Sequence, residues 1–118
     1  MAVQLGHFIY ENAGTGCLLS KYYNPGLQAP LTESASRIQA DPNFPDDPFC
    51  GEFLATWVES TPDLQTQSAR LIITRKRHRN IPLPDLYTLD WQDLNNPNSH
   101  PFYGEAFLYK NMLVGAYR

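Results

Sequence analysis

The chain has 118 residues, 42% of them hydrophobic and 18% charged, a length and apolar content suited to one compact domain over residues 1–118 and too short for two. Nine Lys and Arg against twelve Asp and Glu give a net charge of -3, so the protein as a whole has no electrostatic reason to bind nucleic acid or an anionic membrane. No run approaches the roughly 20 apolar residues of a membrane helix, and Met1-Ala2-Val3-Gln4-Leu5-Gly6 has neither the basic start nor the apolar stretch of a signal peptide, so the expected location is the cytoplasm.

Ten prolines and seven glycines interrupt the chain at short intervals, which disfavours long helices. The stretches between them are rich in Tyr, Phe, Trp, Ile, Val and Thr, residues that fit a pleated, half-buried surface. In chain order, strands are predicted over 5–11 and 16–23, joined by Asn12-Ala13-Gly14-Thr15, where Gly14 supplies a left-handed turn conformation. Residues 24–48 are the least regular. Within them, 32–40 is the only predicted helix, with Thr32 as cap and Asp41-Pro42 as stop. Further strands are predicted over 51–59, 69–76 and 85–91, with polar loops at 60–68 and 92–101. The last two, 102–109 and 112–117, flank Lys110-Asn111, the two-residue connection of a β-hairpin in which Asn takes positive φ.

Pro48-Phe49-Cys50-Gly51-Glu52 and Pro101-Phe102-Tyr103-Gly104-Glu105 share the order Pro-Phe-x-Gly-Glu. Each glycine is expected where a strand bends or another group crosses closely, and Gly6 is a third instance. Alternation places Phe53 with Trp57, Tyr87 with Trp91, Tyr103 with Phe107 and Tyr109, and Leu113 with Tyr117 on shared faces. Sequential short strands without a βαβ rhythm leave a sandwich or a barrel, and the glycine bends favour closure. The expected fold is all-β, a small antiparallel meander barrel of about seven or eight strands with at most one short helix.

Gly6-His7-Phe8 followed by Asn12-Ala13-Gly14-Thr15 resembles the Gly-x-Trp strand and Asn-x-x-Gly-Ser turn that open avidin-like and lipocalin-like, calycin-type barrels. The closing Gly104 to Tyr117 hairpin is similar to the last strands of small bacterial proteins in that group. The turn is one residue shorter here, and Trp57 and Trp91 do not have the spacing of the avidin tryptophans. The resemblance therefore implies a small barrel with a ligand-sized interior and does not imply biotin.

Fifteen aromatic side chains in so small a domain either fill the interior or line a cavity. The functional reading is a barrel that binds a small apolar or aromatic molecule through Tyr10, Trp57, Tyr87, Trp91, Tyr103 and Phe107, with Glu105 or Tyr10 orienting it; the bland reading is that the rings are core. Glu105, grouped by alternation with Tyr103 and Phe107, is the expected acid among rings, unless that face is outward. Arg75-Lys76-Arg77-His78-Arg79 holds four of the nine cationic residues. Arg75, Arg77 and Arg79 suit an anion, although a solvated strand end paired with acids is the plainer expectation.

Cys17 and Cys50 are expected as reduced thiols in the cytoplasm. No Cys-x-x-Cys or His-x-x-x-His spacing occurs, so no metal is assigned, and no cofactor. No nucleophile elbow, Cys-His signature or phosphate loop is present, and the reading leans away from an enzyme. The alternatives are a non-catalytic interaction module, or a lyase or isomerase using Glu105. A symmetric homodimer is expected through the last strand, at Met112, Val114 and Tyr117.

Overall fold

Side chains alternate between buried and exposed along nearly every strand. In β1 (Gly6–Gly14), Gly6, Phe8 and Tyr10 are buried while His7, Ile9 and Glu11 are exposed. The same period carries through β2 (Cys17–Tyr23), β3 (Leu31–Ala40), β4 (Gly51–Val58), β5 (Thr66–Lys76), β6 (Leu86–Gln92), β7 (Phe102–Tyr109) and β8 (Met112–Tyr117). This computed structural model describes residues 6–25, 31–58, 66–77 and 84–118. Each strand pairs antiparallel with the next, and β8 returns to β1, so the sheet closes as an eight-strand meander barrel. Closure leaves no free sheet edge.

One element differs in kind from its expectation. Residues 32–40 form β3 rather than a helix, and the described residues contain no helix. The helix signals there were local: a Thr that could cap and a Pro that could stop. Pairing with β2 on one side and β4 on the other satisfies both rows of backbone groups and overrides so weak a propensity.

Both predicted tight turns are present. Lys110 and Asn111 have φ of 49° and 64°, the left-handed pair that matches the twist of a two-residue hairpin. In the first hairpin, β1 runs on to Gly14, three residues past its expected end, through a register shift between Asn12 and Gly14, and the turn falls at Thr15-Gly16 rather than across residues 12–15. Gly51 has φ of 131°, and a Cβ there would lie 2.3 Å from the Gln39 carbonyl oxygen. It faces the β3 register shift between Arg37 and Gln39, so bulge and glycine together bend the wall at this corner.

Leu18, Phe53, Leu71, Ile73, Leu89 and Leu113, all under 2% exposed, fill the middle of the barrel. An eight-strand barrel has room for little else at its waist. The two ends differ. One opens into a cup walled by rings, and the other is closed by residues 41–50 and a network of hydrogen bonds.

Candidate functional site

The strand register assembles the cup. Tyr10 pairs with Ser20, Ser20 with Glu33, and Glu33 with Trp57, so four inward side chains from β1, β2, β3 and β4 form one row across the sheet. Phe8 and Tyr22 lie one step nearer the rim, paired with each other. From the opposite wall come Trp91, Phe102 and Tyr117, with Trp91 paired to Phe102. Tyr117 lies between Gly104 and Gly6 in the register. A Cβ on Gly6 would stand 2.3 Å from its ring, so the missing side chain is what lets the ring fold inward over the end of β1.

Most ring neighbours meet at steep angles: Phe102 and Tyr117 at 89° with centroids 5.7 Å apart, Trp91 and Phe102 at 86°, Phe8 and Trp91 at 81°, Trp57 and Phe102 at 76°. Edge-to-face pairs of this kind build corners rather than a stack. They enclose a cavity of about 40 Å³ that is partly open to solvent.

Glu33 sits at the base of this cup, 9% exposed. The Tyr10 hydroxyl donates to its Oε1, and the Trp91 indole N–H donates to the same carboxyl group. Burial pushes the carboxyl up to about 8, against the Trp91 hydrogen bond, which pulls the other way. Desolvation is the larger effect because the site offers donors but no compensating positive charge. At the rim, the Asn24 side-chain amide donates to the Tyr117 hydroxyl at 3.0 Å, and burial again pushes that phenol up.

The opposite end is built differently. Asp47 Oδ2 accepts from the Tyr87 hydroxyl at 2.7 Å and the Arg75 guanidinium at 2.9 Å, and Cys50 Sγ lies 3.4 Å away. Burial pushes this carboxyl up, but the Phe49 N–H, Tyr87, Cys50 and Arg75 hydrogen bonds outweigh it and hold Asp47 below the usual carboxylate range. Burial and the Asp47 charge push both the Cys50 thiol and the Tyr87 phenol up, which makes Cys50 a poor nucleophile. Arg75 also reaches Asp85 at 2.7 Å, and Arg37 donates to the carbonyls of Asp47 and Cys50. This network ties residues 41–50 across the barrel end.

No family model matches the chain, and neither a curated protein nor a solved structure matches it. The reading therefore rests on the geometry.

Of the residues singled out in the sequence, Tyr10, Trp57 and Trp91 meet at the cup. Tyr87 is buried but belongs to the Asp47 network at the other end. Tyr103, Glu105 and Phe107 do share a face, and it is the outer one: Tyr103 is 40% and Phe107 45% exposed, and Glu105 projects into solvent. Gly51 and Gly104 both face inward, so Glu52 and Glu105 both face outward and the two Pro-Phe-x-Gly-Glu copies agree. Arg75 is paired with Asp47 and Asp85, Arg77 rests on the Phe44 ring at 5.0 Å, and Arg79 lies outside the described residues. Met112 and Val114 are half-buried on β8, whereas Tyr117 turns into the cup. Cys17 and Cys50 are free thiols. Among the described residues no helix is long and apolar enough to cross a membrane, and no group of three His, Cys, Asp or Glu side chains could hold a metal ion.

Glu33, Phe8, Tyr22 and Phe102 were not anticipated as site residues. The available signal for Glu33 was the period-two set Glu33, Ala35, Arg37, hidden because a charge stands at each end of it.

Proposed function

We propose that the protein is a binding protein that takes a small, largely apolar or aromatic molecule into the cup, with Glu33 and Tyr10 orienting it. The observation that carries this reading is the buried carboxyl group of Glu33 at the base of a ring-walled cup. Apolar walls with one or two convergent polar groups are the usual composition of a small-molecule site. The cavity of about 40 Å³ is well below the roughly 300–1,000 Å³ of sites for drug-sized ligands, which restricts the enclosed part of an occupant to a small head group or a single ring entering from the open end. The closed eight-strand meander agrees with the resemblance to avidin-like and lipocalin-like barrels. Ligand-observed NMR with toluene, phenol and naphthalene tests the reading. Binding is expected in the wild type and loss of it in Ser20→Phe, which fills the base of the cup. No binding of any of the three, together with native mass spectra free of any retained molecule, would refute it.

A second reading, an interaction module, is favoured by one outer row. Ile9, Val114 and Phe107 are in register across β1, β8 and β7, and Ile9 and Phe107 are 39% and 45% exposed. A second copy of the chain could cover this row through a two-fold contact. Sedimentation equilibrium at micromolar concentration decides: a dimer dissociated by Val114→Lys supports it, and a wild-type monomer removes it.

A further inference from the structure

We propose that the occupant of the cup is a small organic ammonium ion, its cationic head held between the ring walls and the Glu33 carboxylate. This rests on the interior-binding reading above and narrows its ligand to an apolar body with a positively charged head.

Two observations converge on that chemistry. The first is a missing partner. Glu33 is 9% exposed, and among the described residues no Lys, Arg or His lines its cavity. The groups that approach its carboxyl, the Tyr10 hydroxyl and the Trp91 indole N–H, are donors, ready to serve the ionised form when a cation offsets the cost of burying it. Once ionised, a buried carboxyl with donors but no cation beside it is an incomplete ion pair. The second is the wall. Trp57, Trp91, Phe102 and Tyr117 meet at steep angles around the space above Glu33. Ring faces carry partial negative charge, and boxes of rings are the recognised way to hold methylated ammonium groups without hydrogen bonds.

Without a cation beside it, the Glu33 carboxyl keeps its proton. With the carboxyl pushed up to about 8 by burial, Glu33 is protonated at neutral pH, and seating a quaternary ammonium ion releases that proton to solvent as the carboxylate forms. Among the described residues, the other titratable groups facing it are the phenols of Tyr10, Tyr22 and Tyr117, and phenols ordinarily ionise near 10. Affinity for the cation therefore rises about tenfold per pH unit below 8 and levels above it.

Choline and its uncharged isostere 3,3-dimethylbutan-1-ol separate charge from shape. Calorimetry and quenching of Trp57 and Trp91 fluorescence are expected to show choline bound at least tenfold more tightly at pH 8.5. Titration at pH 7 in two buffers of different ionisation enthalpy is expected to show about one proton released per choline. Glu33→Gln, isosteric with the protonated acid and checked for fold by circular dichroism, is expected to abolish the preference and the proton release while still taking the alcohol. Equal affinities, a preference for the alcohol, or proton-neutral choline binding would overturn the ammonium assignment and leave the interior site standing. Failure of choline, the alcohol and the aromatic probes alike would remove both.

Discussion

Replacing Glu33 by Gln should make the folded protein more stable at high pH and change it little at low pH. The carboxyl is pushed from an ordinary 4.5 to about 8 in the folded state, so between those values the unfolded chain has lost a proton that the folded chain still holds. Stability falls with pH wherever the native state binds more protons. The Glu33 contribution is thus fully present below 4.5, declines by about 1.4 kcal/mol per pH unit above it, and is lost once pH passes 8. Over the whole interval that amounts to about 5 kcal/mol, comparable with the entire stability of a marginal small domain. Gln cannot ionise, and every other titrating group is common to both proteins. The difference between the two urea-unfolding free energies, measured from pH 5 to pH 9 without ligand, therefore isolates Glu33. It should be within about 1 kcal/mol at pH 5 and widen in favour of the variant as pH rises. Parallel profiles across that range would mean that Glu33 is ionised and solvated in the folded protein, and the incomplete ion pair would go with it.

Three further outcomes follow from the same structure. Asp47→Asn should cost about 2–3 kcal/mol at neutral pH, since charge-assisted hydrogen bonds from Arg75 and Tyr87 are weakened; because the Asp47 carboxyl is held low, the wild-type advantage should persist above the ordinary carboxylate range and vanish as acid titration passes below it, read by thermal unfolding against pH. Gly51→Ala should lower stability by about 2–4 kcal/mol, with φ of 131° and a backbone oxygen 2.3 Å from the new Cβ, whereas Gly14→Ala, with nothing within 4 Å, should cost about 1 kcal/mol in the same denaturation assay. Glu105→Gln should leave both probe binding and stability within about 0.5 kcal/mol, and a larger loss of binding would return Glu105 to the site.

The barrel was legible in the sequence because hairpin chemistry is local: Lys110-Asn111 and Asn12-Ala13-Gly14-Thr15 announce turns, and the apolar runs beside them announce strands. Faces were harder. Phe53 with Trp57 and Tyr87 with Trp91 read correctly as inward, but on β7 the small residues Gly104 and Ala106 face inward while Tyr103 and Phe107 face out, because Tyr117, Phe8 and Trp91 already occupy the interior against Gly104. Size is a poor guide to side where a neighbouring strand supplies the bulk. Glu33 was illegible for a related reason. Its strand has an inner row of Glu33, Ala35 and Arg37, one small residue between two charges that serve opposite ends of the barrel, and such a row carries no hydrophobic period to detect.

The register row that builds the cup also sets when the cup can exist. All but one of the strand ladders join neighbours in sequence, and several connections are short enough to form as independent hairpins. The remaining ladder, β1 with β8, aligns Gly6 beside Tyr117 and closes the longest loop in the chain, the kind of non-local pairing that sets the pace of β-protein folding. Tyr117 and Phe8 stand on either side of that seam, and Tyr10, Ser20, Glu33 and Trp57 span the four strands leading away from it. A partly folded sheet therefore has hairpins but no binding cup, and occupancy would act as a late latch on the ring, slowing its reopening without hastening the local steps that precede closure.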